Sequence, residues 1–404
     1  MEVTLPSGVP LGGYGGFPRR AWLPDFLHLY PFAFWFRPSV GVHDPFTVRS
    51  LTLESGTVRL LWLAVDLVAI DPTLLDALRE RLANSGMTYS AIIASASHTH
   101  SGPGAYGDSA LFAFLALDRL APEVRGRILD GLERAAREAE ARLAPARIAS
   151  GRTEVRGIAE SRVQQPLDPE LGVLKITTVG GRPVALVWNY AIHGTALGRS
   201  NLLLSNDLMG EANARIERET GAPALFVNGA VGDVSPRPRG WAGVKEAGAA
   251  LAAGALRAAD EARPEPDRIR IETETVALPS PALSLKNCLV GRAPAWMTLS
   301  LREALPSTAE VIAVAIGRTG WVTIPGELET RLGLDLKSSA GRLLDHVFVA
   351  GVSNGYLGYF LTPSDYRRPS YIACGSLYGE RGGEILRDGA LAALDAVSGG
   401  KARR

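Results

Sequence analysis

Apolar and polar positions divide the chain into alternating strand-like and helix-like stretches. "TVRLLWLAVDLVAI" (57–70) is a near-continuous apolar run, the pattern of a strand covered on both faces. "TLLDALRERLANSG" (73–86) follows, with leucines at helical spacing. The alternation predicts a strand at "YSAIIASAS" (89–97) and a long amphipathic helix at 121–143, with Glu/Arg pairs on its outer face. A β-hairpin is expected over 171–194, turning at Gly-Gly. Then come a helix at 207–221, a strand at 222–233, a helix at 243–262 and strands at 268–278 and 310–326. A helix from 327, a strand at 346–362 and a helix at 383–397 complete the pattern. Residues 1–50, rich in Gly, Pro and aromatics, read as an irregular lid or loop region. Strand–helix alternation together with hairpins gives the fold class: α/β, with mixed β-sheets flanked by helices. No repeat of 20–50 residues and no low-complexity segment is visible.

Composition narrows the classes. Apolar residues make up 46% and charged residues 21%, the profile of a globular chain. Forty-three basic residues against 42 acidic leave a net charge of +1, which offers no nucleic-acid footprint and no polybasic anchor. No apolar run is long enough for a transmembrane segment. The N-terminus shows no basic-then-apolar leader, so no signal peptide is expected in the chain as given; the protein would be cytoplasmic, or exported with its leader removed. Cys288 and Cys374 form no CxxC and are expected as two buried thiols. "LGGYGG" (11–16) has glycines but not the strand–turn–helix context of a nucleotide loop.

Polar clusters fall where expected strands end, the place at which α/β folds gather ligands. They are "SASHTHSGPG" (95–104), "NYAIHGTAL" (189–197), "NGAVGDVSP" (228–236), "IPGELET" (324–330) and "NGYLGYFLTPSDY" (354–366). Two of the chain's six histidines, His98 and His100, sit two residues apart, a spacing that puts both on one face of a strand. They could serve a metal, act as a nucleophile's base, or be hydrogen-bonded turn residues. Imidazoles plus one carboxylate are the usual donor set of a catalytic zinc, and His98, His193 and Glu327 would supply it. Ser235 lies outside any GxSxG elbow and, before Pro236, reads equally as a turn residue. Tyr356, Tyr359 and Tyr366 would reach the same region.

In this order, "SHTHSGPG", "AIHGTAL", "GDVSPR", "IPGELET" and "GYFLTPSDYRRPSY", with an earlier "GVHDPFTVRSL", resemble the neutral/alkaline non-lysosomal ceramidase family. Its members are zinc-dependent amidases of N-acylsphingosine. The resemblance implies a ceramidase-like catalytic domain over residues 1–404, with 1–50 as lid, and zinc held by His98, His193, Glu327 and Tyr359. The tyrosine ligand comes from the resemblance alone. It also places His100, Arg162 and Tyr371 around the scissile amide, and Ser235 nearby as a contact or shaping residue. Zinc-bound hydroxide would attack the carbonyl, with His100 or Tyr371 protonating the leaving amine. Asp233 and Asp66 are candidates either to orient a ligand imidazole or to cap local structure.

This sequence departs from the family in four places. It ends at 404 without a counterpart of the C-terminal sandwich-like domain, so a short member is expected. It has His-Gly-Thr for His-Pro-Thr, it continues as "IACGSLYGE" after Tyr371, and its first 50 residues diverge. The expected activity is zinc-dependent hydrolysis of an amide in an N-acyl lipid-like substrate. The alternatives are a metal-dependent esterase or lactonase on the same site, and a non-catalytic lipid-binding relative.

Overall fold

A computed structural model describes residues 1–399. Its framework is one supersecondary unit built three times. The first comprises β1 (Glu2–Val3), β2 (Phe46–Ser55), β3 (Val58–Val65), α1 (Pro72–Asn84), β4 (Ala91–Ala96) and α2 (Pro122–Ala141). The second comprises β5 (Ala146–Glu154), β6 (Glu170–Thr178), β7 (Pro183–Tyr190), α3 (Asp207–Thr220), β8 (Ala224–Asn228) and α4 (Gly240–Asp260). The third comprises β9 (Ile269–Ala277), β10 (Thr308–Ile316), β11 (Thr319–Ile324), α5 (Thr330–Ala340), β12 (His346–Gly351) and α6 (Gly382–Ser398). In every unit these four strands lie in the sheet in chain order, and the second sheet carries a further two-residue strand, Arg263–Pro264, beside β5. The first three are antiparallel and the fourth runs parallel to the third. A parallel pair needs a crossover connection, and the first helix of each unit provides it.

Local sequence explains the helices. α1 starts where Asp71 accepts a hydrogen bond from the Leu74 N–H and Pro72 occupies the first turn. Its buried stripe is Leu74, Leu75, Leu78 and Leu82. α3 ends at Gly221, whose left-handed backbone suits a residue without a Cβ.

Each helix pair covers the outer face of its own sheet, and the three inner faces share one core. Burial on both faces is why the third strands read as "RLLWLAV", "ALVWNY" and "TGWVTI". In the shared core, Trp62 meets Trp321 edge-on at 5.0 Å, and Trp321 lies 4.8 Å from Phe348. Asparagines tie the sheets together. Asn189 donates to Val349 O at 2.8 Å, joining the second unit to the third. Asn354 accepts from Ala94 N at 2.7 Å and donates to Ile92 O at 2.9 Å, joining the third to the first.

The expected α/β class with mixed sheets and flanking helices is the observed one. The sequence pattern leaves β5 unassigned, because "ARIASGRTE" alternates small and charged residues with little apolar signal. Residues 1–45 are irregular apart from short pairings such as Gly41–Val42 with Leu203–Leu204, but β2 begins at Phe46, inside the region expected as lid. The cysteines correct an expectation: Cys288 and Cys374 are not free thiols but form a disulfide across 86 residues. Spacing could not show this pairing. The short helices Leu285–Cys288 and Tyr371–Cys374 pack on each other, and Asn287 donates to Ala373 O at 3.4 Å beside the bond. The bond fastens the segment that carries Tyr371.

Candidate functional site

The site sits beyond the carboxyl ends of the parallel strand pairs, and the register locates its parts. The last paired residues of the third strands are Val65, Tyr190 and Ile324. Three residues beyond each lie Val68, His193 and Glu327. His98 lies two residues beyond Ala96, the end of β4, with a left-handed backbone at φ 62°. Related positions of the three units therefore converge on one point.

The imidazoles are oriented by backbone carbonyls. His98 Nδ1 is 2.6 Å from Val68 O, and His193 Nδ1 is 2.7 Å from Val234 O. A carbonyl only accepts, so both Nδ1 atoms carry the proton and both Nε2 atoms present lone pairs in the neutral ring. These point at Glu327: His193 Nε2 is 2.9 Å from Oε2, and His98 Nε2 is 3.4 Å from Oε1. All three residues are buried, and among the described residues His98 Nε2, His193 Nε2 and Glu327 Oε2 have no hydrogen-bond partner. Acceptors facing one another in a buried place leave room in the chemistry for a cation. Burial, then Arg162, lowers His193 to about 3.

Glu327 is aimed by its neighbours. The two-residue strand Glu327–Leu328 pairs in parallel with Tyr359–Phe360, which sets Tyr359 beside Glu327 in register. Tyr356 donates to Glu327 Oε1 at 2.5 Å. Burial, then the Glu327 charge, pushes both phenols well above their ordinary value.

His100 completes the histidine group: one ring nitrogen from each of His98, His100 and His193 lies within 4.8 Å of the others. Among the described residues neither His100 ring nitrogen has a hydrogen-bond partner, and burial, then the other two imidazoles, holds its pKa well below 6.5. The strand Ala159–Ser161 pairs with Val234–Pro236, bringing Arg162 to Ser235. Arg162 Nε donates to Ser235 Oγ at 2.7 Å, its Nη1 is buried without a partner, and its guanidinium carbon lies 5.5 Å from the Tyr371 ring centre. Thus the structure brings His98, His100, Arg162, Ser235, Glu327, Tyr359 and Tyr371 around one cavity of ≈ 1190 Å³, with His193 in contact with Glu327 but outside the lining. Tyr366 stays outside the lining; its carbonyl accepts from Asn287.

The two aspartates do not orient the imidazoles. Asp233 accepts from Thr330 N at 2.8 Å and from Thr330 Oγ1 at 2.7 Å, holding the start of α5. Asp66 lies 3.5 Å from Arg49, which also pairs with Glu217. Burial nevertheless raises the Asp66 carboxyl to about 6. Its unfolded pKa is about 4, so between these values the folded chain binds the proton more tightly. Its contribution to stability is therefore lost as pH rises through about 6. Asp66→Asn removes this loss and is expected to gain up to about 3 kcal/mol relative to wild type on going from acid to neutral pH. Denaturant titration of both proteins at several pH values measures it; a pH-independent difference would exclude the cause given.

Sequence reasoning passed over the loop at Gly12–Tyr14. Gly12 N donates to Gly102 O at 3.0 Å, so this loop runs along the Ser-Gly-Pro-Gly turn and onto His100. The Tyr14 ring meets that of His100 at 4.8 Å. Gly13 has φ +100°, and a Cβ there would lie 2.6 Å from His100 Cγ and Nδ1. The glycines of "LGGYGG" were the available signal; they mark close approach to a side chain rather than to a phosphate. Gly13→Ala is expected to displace His100 and lower kcat/KM about ten- to a hundredfold, with a smaller change in thermal stability. Steady-state kinetics beside a melting curve checks this, and unchanged kinetics would remove His100 placement as the role of Gly13.

Comparisons with known proteins agree with one another. Residues 28–250 match the family model described as neutral/alkaline non-lysosomal ceramidase, N-terminal. A neutral ceramidase of Mycobacterium tuberculosis is 23% identical over 448 aligned residues, covering 84% of this chain and 70% of that protein. One from Pseudomonas aeruginosa is 27% identical over 162 residues, covering 36% of this chain and 24% of that protein. The crystal structure of the neutral ceramidase from Pseudomonas aeruginosa matches with a TM-score of 0.84 at 18% identity, over 98% of this chain and 73% of that one. A structure described as ceramidase complexed with C2 matches with a TM-score of 0.82, over 96% and 73%. At this identity the structural likeness speaks to the fold.

Proposed function

The chain belongs to the neutral/alkaline non-lysosomal ceramidase family, and from that premise we propose that it is a zinc-dependent amidohydrolase of an N-acyl, lipid-like substrate. The carrying observation is the set of facing acceptor atoms, His98 Nε2, His193 Nε2 and Glu327 Oε2, buried together with no hydrogen-bond partner among the described residues. Two imidazoles and a carboxylate are the donor set of a catalytic zinc, and Tyr359, in register with Glu327, is the fourth candidate. Zinc held there supplies Lewis acidity and a water that ionises near neutral pH.

The remaining roles fall to this chain's own groups. Arg162, fixed through Nε by Ser235, presents an unpartnered Nη1 suited to the charge that develops on an amide oxygen. His100 and Tyr371 are the groups placed to pass a proton to a departing amine. Val68, Ile70, Leu111, Phe112, Leu115 and Leu357 give the cavity an apolar wall fit for an acyl chain. We take the three units as one catalytic domain with the N-terminal loops as its lid, since the ligand-type residues come from all three.

Metal analysis of purified protein, combined with a hydrolysis series of N-acyl amides and matched esters, tests the reading. One equivalent of zinc is expected, with amide turnover lost on chelation and restored by zinc. A protein that holds no divalent ion, or that cleaves only the esters, would overturn it.

A further inference from the structure

Two stretches carry large apolar side chains into solvent, and both adjoin the cavity. In the first, Trp22 is 86% and Leu27 79% exposed, with Leu23, Phe26 and Leu29 each more than two thirds exposed. The loop bearing them is held in place. Asp118 accepts from the backbone N–H groups of Phe34, Trp35 and Phe36, each at 3.0 Å. The Arg20 guanidinium lies 4.7 Å from the Phe36 ring centre and 4.5 Å from that of Phe114. The Trp35 ring meets Phe114 at 5.3 Å, and the next residue, Leu115, lines the cavity. In the second stretch, Trp296 is 80% exposed, and Leu289, Val290 and Leu299 are exposed beside it. That stretch leads directly into Glu303, Ala304 and Leu305 of the cavity wall, and Cys288 at its start is bonded to the short helix that begins at Tyr371.

Apolar exposure on this scale, on two stretches whose neighbours line one cavity, marks a contact surface rather than scattered surface residues. Charge identifies the partner. Apart from the buried Arg19, residues 13–37 carry Arg20 and Arg37 against Asp25 alone, and 281–303 carry Lys286, Arg292 and Arg302 against Glu303 alone. The chain as a whole is balanced, 43 basic against 42 acidic. A second copy docking by two-fold symmetry would set these cations against themselves. An anionic lipid surface complements them, while tryptophans and leucines enter the headgroup layer. No helix among the described residues is long and apolar enough to cross a membrane, so the contact is with its surface.

We propose that segments 17–30 and 289–299 dock this protein on an anionic lipid bilayer, with the cavity mouth between them facing the membrane. This rests on the lipid-like substrate for its purpose, but docking itself needs no turnover. Sedimentation with phosphatidylcholine vesicles, and with phosphatidylcholine–phosphatidylglycerol vesicles, tests it using Trp22→Ser/Leu27→Ser and Trp296→Ser. Wild type is expected to bind the mixed vesicles, more weakly at high salt and on phosphatidylcholine alone. Each variant should bind on the order of tenfold more weakly, and Trp296→Ser, outside the lid, should still cleave a short-chain, water-soluble amide at the wild-type rate. Absent vesicle binding, variants that bind like wild type, or a dimer in solution that these substitutions dissociate, would each overturn the proposal. Vesicle binding without any amide cleavage would support docking and defeat the hydrolase reading instead.

Discussion

His98→Ala is expected to lose both the metal and the activity, with hydrolysis falling on the order of a thousandfold or more. His98 is buried and locked through Nδ1 to Val68 O, so alanine removes the nitrogen it turns to Glu327 and leaves His193 Nε2 as the remaining imidazole nitrogen there. His100→Ala is the informative companion. The histidine group on its own would admit His100 as a ligand. Yet no carbonyl or carboxylate fixes its ring, and it faces the cavity. The ligand set proposed here predicts that His100→Ala retains zinc while kcat falls. Metal analysis of both variants, with melting curves to show that each is folded, separates the cases. A folded His98→Ala protein with full activity, or a His100→Ala protein that alone loses zinc, would sink the assignment.

Trp321→Ala should be the most damaging change away from the site, costing about 3–5 kcal/mol of unfolding free energy. Its ring fills the space where the inner faces of three sheets meet, between Trp62 and Phe348. The surroundings cannot close over the gap, because the sheets on each side are also held by asparagine bonds such as Asn189 to Val349 O. The indole N–H has no partner among the described residues, so alanine gives up packing and no hydrogen bond there. Denaturant unfolding of both proteins measures the loss, and a cost near zero would show that this core is slack.

Much of this architecture was legible. Periodicity alone placed α1, α2 and the hairpin of β6 and β7, because each has one strongly patterned face or an unbroken apolar run. The five strand-end motifs do surround one cavity. What the sequence hid was relational. The threefold unit recurs at a length well beyond any visible repeat, and its copies share positions rather than residues: Val68, His193 and Glu327 are equivalent in register yet differ in every chemical respect. The disulfide was hidden for the same reason, since contact between two four-residue helices leaves no mark in spacing. Asp233 and Asp66 were candidates either to orient an imidazole or to cap local structure; the imidazoles lean on carbonyls instead, and a backbone partner has no sequence signature. Tyr14 was passed over because its glycines were weighed against a phosphate loop.

Distributing the donors over three units has a temporal consequence. Within a unit the strands are near neighbours along the chain and can pair early, because closing short loops costs little entropy. The donors lie much further apart in the chain, so the centre they form comes into being only when the units dock. During refolding, recovery of activity should lag the far-ultraviolet helical signal. The competence of this molecule would then be a late event in its own assembly, reached after its sheets and helices already stand.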